Sequence, residues 1–252
     1  MLRIDPRDVP TARARDNVRL YHGGGETNVS CGLSYTFGLR TAVLTALVND
    51  SVGENIRNQL REAGIGTEKI IWWNTKDDGS EYSTDGKGSI INGINFTFVG
   101  SGVIPSETIY YRANSAATRL VPGDYDWDTL FGEEGVRVFN TGGILTLIGP
   151  RTADLAIEAA RKAAEHGTFV SADLNYRSKV QPDKDVARSI NQKIAPYIGM
   201  LVGNDSDLSD ALGYETHAPA NATFVEWLEA YKATIGQVAA DFPNLSLIGT
   251  QW

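Results

Sequence analysis

The sequence is short of several things, and each shortage closes a class. A single cysteine, Cys31, stands among 252 residues, so no disulfide can form within the chain. Cys31 lies in an apolar stretch and reads as a small buried hydrophobe rather than a nucleophile. Basic residues are outnumbered, 23 Lys and Arg against 31 Asp and Glu, giving a net charge of −8. That sign argues against a grip on nucleic acid phosphate and against an anionic membrane surface. No apolar run reaches the roughly 20 residues of a bilayer-spanning helix. The N-terminal MLRIDPRDVPTARARD has no apolar core segment and is not a secretory signal. With only 3 His and 1 Cys, a conventional Cys/His zinc site cannot be assembled. The phosphate loop G-x-x-x-x-G-K-[ST], the dinucleotide turn G-x-G-x-x-G and the hydrolase elbow G-x-S-x-G are all missing. The reading is a cytoplasmic protein with no nucleic-acid or membrane partner.

What is present is an ordinary globular composition, 42% hydrophobic and 21% charged. Strand-like and helix-like segments alternate. Helical spacing runs over 26–38, 51–64, 151–167, 185–195 and 221–242, with Ser51 expected as the cap of the second. Short apolar runs suited to buried strands occupy 41–48, 68–73, 136–141, 168–174, 198–203 and 244–250. Strands alternating with helices of this length predict right-handed crossovers and a mainly parallel sheet. Residues 76–118 break the rhythm. They are rich in Gly, Ser and Asp and contain the alternating run IINGINFTFV followed by TIYYRANSA. This predicts an extended hairpin projecting from the α/β body as a functional lid.

In an open α/β sheet, ligands bind beyond the carboxyl ends of the strands. Three clusters follow predicted strands: Thr141-Gly142-Gly143-Ile144, Asp173-Leu174-Asn175-Tyr176-Arg177 and Asn204-Asp205-Ser206-Asp207. A parallel sheet would bring them to one edge, giving a Gly-rich turn, a cationic fork and carboxylates together. Gly23-Gly24-Gly25-Glu26-Thr27-Asn28 opens a helix and lets a small polar ligand approach backbone closely. Arg112 and Arg177 are each suited to a bidentate grip on a carboxylate.

Taken in order, these runs resemble the ribokinase-like (PfkB) carbohydrate kinases. The matching residues are Gly23, Gly24, Glu26 and Asn28, then Asp50 and Gly53, then YYRANSA, NTGGI, DLNYR and GNDSDLSDALG. The combination resembles the 2-keto-3-deoxygluconate kinase branch. The resemblance implies a ribokinase-like three-layer α/β/α sandwich with a mainly parallel sheet and a small β lid, formed by segments near 10–22 and 76–118. It implies ATP and Mg²⁺ as cofactors and a sugar acid as substrate. Gly23, Gly24 and Asn28 would contact the sugar, Tyr110 and Arg112 would reach over it from the lid, and Ile144 would wall the pocket. Asp173, Asn175 and Arg177 would complete the sugar site, with Arg177 on the carboxylate. Asn204 and Asp207 stand at an N-x-x-E motif tied to nucleotide and magnesium, with Asp207 where Glu is usual. Such kinases pair through their lids, so a homodimer or higher homo-oligomer is implied.

The family's Gly-x-Gly-Asp turn, whose amides stabilise the transferring phosphoryl group and whose Asp is the base, does not occur in this sequence. The expectation is a single sugar-kinase domain over 1–252, a gene fragment clipped at both ends, without its C-terminal nucleotide-binding portion and without turnover of its own. The alternatives are another PfkB-type sugar or nucleoside kinase, and a non-catalytic sugar-binding or dimerising remnant.

Overall fold

The structure is a computed structural model and describes residues 1–7, 9–73 and 90–250. The chain divides into two compact units, Met1–Leu120 and Val121–Trp252.

The first unit contains β1 (Leu2–Asp5), β2 (Arg19–His22), α1 (Gly25–Cys31), β3 (Thr41–Ala42), β4 (Thr45–Val48), α2 (Ser51–Glu62), β5 (Ile65–Gly66), β6 (Ile70–Trp73), β7 (Ile94–Phe98) and β8 (Glu107–Tyr111). One sheet runs β2-β1-β7-β8, with β1 antiparallel to β2 and parallel to β7, and β7 antiparallel to β8. The pairs β3/β5 and β4/β6 are parallel. The alternating run at 94–98 thus forms a hairpin with 107–111, as its period implied. The sheet also takes in Leu2–Asp5, outside the two lid segments read from the sequence. The part of the predicted lid from 76 to 89 lies outside the described residues.

Helix α2 buries Ile56 and Leu60 against Val43, Leu47, Ile65 and Ile70, with Cys31 partly buried at the margin. Its cap is Asp50 rather than Ser51. The Asp50 carboxylate accepts from the Val52 and Gly53 amides at 2.9 and 2.8 Å, because Asp50 is extended (φ −137°) while Ser51 is already helical. Gly53 has no room for a side chain, since a Cβ there would lie 2.1 Å from the Val48 carbonyl oxygen. The expected strand at 41–48 is broken into β3 and β4, each paired with a different partner.

The second unit contains β9 (Val138–Gly142), α3 (Gly143–Leu147), α4 (Pro150–Glu165), β10 (Phe169–Asp173), α5 (Lys184–Ile194), β11 (Met200–Val202), α6 (Asp205–Asp207), α7 (Phe224–Asp241) and β12 (Leu247–Gly249). All pairings in its sheet, β12-β11-β10-β9, are parallel. The small buried face of α4, including Ala153, Ala156, Ala160 and Ala163, lets this helix pack close to β9 and β10. Trp127 stacks on Phe131 at 5.6 Å between centroids, and Phe139 of β9 meets Phe131 edge-on. Helix α7 starts in a capping box in which Thr223 and Glu226 each accept the other's backbone amide. Among the described residues, no helix is long and apolar enough to cross a membrane.

Candidate functional site

The parallel register of the second unit brings the ends of β10 and β11 side by side, with Asp173 opposite Val202. Beyond those ends lies a cavity of about 130 Å³ lined by Asp173, Asn175, Arg177, Val202, Gly203, Asn204 and Asp207. Five of the six residues expected on this unit are therefore gathered. The sixth, Ile144, sits in the first turn of α3 and is not among the lining residues. Sequence reasoning missed Val202 and Gly203, which read only as the end of a strand.

The cavity's shape comes from backbone constraints. Asn175 adopts a left-handed conformation (φ 37°), which asparagine tolerates, and its amide donates to the Asp173 carboxylate at 3.0 Å. The chain then passes over the start of α3. There the Leu174 carbonyl oxygen lies where a Gly143 Cβ would be, 1.7 Å away, so only glycine fits the NTGGI run at this point. Asp207 is buried. Its Oδ1 accepts the Tyr176 amide at 2.9 Å, its Oδ2 accepts the Asn204 amide at 3.2 Å, and the Asn204 Oδ1 accepts the Asp207 amide at 2.8 Å. One carboxylate thus ties the loop after β10 to the turn after β11.

Burial pushes the Asp173 carboxyl above its ordinary value; the Asn175 amide opposes this, the Asp207 charge adds to it, and the Arg177 charge opposes it. Arg177 donates through Nη1 to the Tyr176 carbonyl oxygen at 2.7 Å, which orients the guanidinium at the cavity. The arrangement can bind a small anion or polyhydroxylated molecule through a charged fork, amides and carboxylates. Among the described residues, no group of three or more His, Cys, Asp and Glu side chains could hold a metal ion. These residues do not build a resident metal cage.

The other expected residues lie on the first unit. Gly24 caps α1 with φ 142°, the Asn28 amide donates to the Gly24 carbonyl at 2.9 Å, and Gly23 precedes them at the end of β2. Tyr110 is on β8 and Arg112 just beyond it, with the guanidinium 4.3 Å above the Tyr110 ring centroid. Asn95 of β7 was missed. It is 2% exposed, yet a polar residue in an alternating strand carries no sign of burial.

The pfkB family carbohydrate kinase signature matches residues 5–238, and the chain belongs to that family. Among curated relatives, the 2-dehydro-3-deoxygalactonokinase of Haloferax volcanii is 26% identical over 223 residues, covering 88% of this chain and 64% of that protein. The 5-dehydro-2-deoxygluconokinase of Geobacillus kaustophilus is 30% identical over 184 residues, covering 73% of this chain and 49% of its own length. The crystal structure of 2-dehydro-3-deoxygluconokinase from Thermotoga maritima matches with a TM-score of 0.82 and 27% identity over 99% of this chain and 69% of that one. The ribokinase-like α/β class read from the sequence is the class the chain shares with these kinases. The chain spans about half to two thirds of the length of the two curated relatives.

Proposed function

We propose that this protein serves phosphoryl transfer from ATP to a hydroxyl of 2-keto-3-deoxygluconate or a closely related sugar acid. The observation that carries the reading is the single cavity in which Arg177, Asp173 and Asn175 meet Asn204 and Asp207. A sugar acid supplies what that cavity lacks: a carboxylate for the Arg177 guanidinium and hydroxyls for Asp173 and Asn175. Relatives named for phosphorylating keto-deoxy sugar acids support the same substrate class.

In this reading Arg177 fixes the acid end of the substrate and Asp173 and Asn175 orient its hydroxyls. Gly23, Gly24 and Asn28 offer close backbone approach and an amide on the first unit. Tyr110 and Arg112 belong to the β2-β1-β7-β8 sheet, which acts as the lid. Asn204 and Asp207 hold the turn on the nucleotide side. Mg²⁺ carried on the nucleotide phosphates would neutralise their charge, a role that needs few protein ligands. The lid sheet also pairs copies of the chain into a homodimer or higher homo-oligomer, since the face opposite the Tyr110 row exposes Leu20 and Tyr111. Light scattering on a size-exclusion column would show at least twice the chain mass, and a monomer at high micromolar concentration would refute the pairing.

Ligand-induced stabilisation tests the reading. A ligand at about 100 times its Kd adds roughly 2.7 kcal/mol, enough to raise the unfolding midpoint by several degrees. The sugar acid should produce that rise, while a neutral ketose such as fructose should not. No rise with the acid, or an equal rise with fructose, would refute it.

A further inference from the structure

On the first unit, strand register lines up side chains that the sequence keeps far apart. Arg3 pairs with Tyr21 on one side and Asn95 on the other, and Asn95 pairs with Tyr110. Residues directly opposite in a sheet share a face, so Tyr21, Arg3, Asn95 and Tyr110 form one row. Arg112, two positions beyond Tyr110, is on the same face and lies over its ring. Gly23 and Gly93 let the neighbouring side chains pack closely beside this row, Met1 among them. A Cβ on Gly23 would meet Asn95 Nδ2 at 3.4 Å and Arg3 Cβ at 3.7 Å, and one on Gly93 would meet Arg112 Cβ at 3.6 Å.

Two polar groups in this row are poorly satisfied. Arg3 Nε is buried and makes no hydrogen bond among the described residues. The buried Asn95 amide donates to Met1 Sδ at 2.9 Å, a weak acceptor, while its Oδ1 accepts from Thr97 at 3.0 Å. Buried donors are normally paired, because an unpaired one loses its water without replacement. A guanidinium whose Nε–H has no acceptor is suited to an anionic oxygen brought by a ligand.

We propose that Arg3 is a further specificity-determining residue: its guanidinium donates to the carboxylate of the sugar acid on this face, with the Asn95 amide donating to a neighbouring oxygen. The proposal rests on the sugar-acid reading above and extends it to a strand with no assigned part in the site. A carboxylate has about four lone-pair positions, so Arg3 and Arg112, on the same face of this unit, need not compete for the same ones.

The experiment is calorimetry of the whole chain with 2-keto-3-deoxygluconate and with fructose, for wild type, Arg3→Gln and Arg3→Lys. Arg3→Gln should weaken acid binding roughly tenfold or more, the usual cost of a charge-assisted pair, with fructose giving no appreciable heat in either protein. Arg3→Lys, which keeps the charge but not the Nε–H, should lose acid affinity several-fold; it carries the test if Arg3→Gln does not fold. A merely structural arginine would leave acid affinity unmoved, and an unmoved acid affinity in a folded variant overturns the proposal alone. A wild type that binds neither compound overturns the functional reading and this proposal with it.

Discussion

Replacing Asp207 by alanine should loosen the loop that carries Arg177. The carboxylate accepts two backbone amides, those of Tyr176 and Asn204. The Tyr176 amide is fully enclosed, so deleting its partner leaves a buried donor unpaired, at about 1–3 kcal/mol. The Asn204 amide is nearer the surface and can turn to water, so its loss adds roughly 0.5–1 kcal/mol. The expected total is about 1.5–4 kcal/mol, a drop in unfolding midpoint of roughly 3–16 °C. Asp207→Asn keeps one acceptor oxygen and should lose about half as much. Amide exchange gives the finer reading: the Tyr176 amide should exchange faster in Asp207→Ala, while amides in α7 keep their rates at mild temperature. A change below about 0.5 kcal/mol, with Tyr176 exchange unaltered, would refute the clamp.

Three further outcomes are expected. The Asp173 carboxyl is held above its ordinary value of 3.8, so the folded state binds the proton more tightly than the unfolded chain, and stability falls as pH rises through the interval above 3.8. Asp173→Asn should therefore raise the urea midpoint at pH 7 relative to wild type, with the difference vanishing below pH 3.8; a constant difference across pH would refute the assignment. Gly143→Ala should be strongly destabilising, since a Cβ 1.7 Å from a carbonyl oxygen forces the backbone apart; a soluble variant with wild-type midpoint would contradict the close approach. Thr223→Ala should cost about 1 kcal/mol by removing the α7 cap, measurable by circular dichroism during urea unfolding.

Legibility in the sequence followed the range of the interactions. Helices α4 and α7 were evident from periodicity, and their ends fall within a few residues of the expected ones, because caps and apolar faces are local. The cap of α2 was misplaced by one residue because Asp50 and Ser51 are both good caps, and only the backbone angle decides between them. The gathering of Asp173, Asn175, Arg177, Asn204 and Asp207 was foreseeable, since parallel strands must deliver their carboxyl ends to one edge. What escaped was long-range and polar. The pairing of Leu2–Asp5 with a strand some ninety positions on leaves no local mark in a four-residue run followed by Pro6. Arg3 and Asn95 look like solvent-facing residues of alternating strands until register sets them side by side. The glycine at 143 was part of a recognised run, but the carbonyl oxygen that requires it comes from Leu174, on another strand's loop.

The most direct measurement is the affinity of the chain for 2-keto-3-deoxygluconate, by calorimetry, in wild type and in Arg177→Ala. If Arg177 is the carboxylate clamp of a sugar-acid site, the wild type binds the acid and Arg177→Ala binds it at least tenfold more weakly, as expected for losing a charge-assisted pair of roughly 1.5–3 kcal/mol. Equal affinity in the two proteins, with the variant folded, would contradict the account.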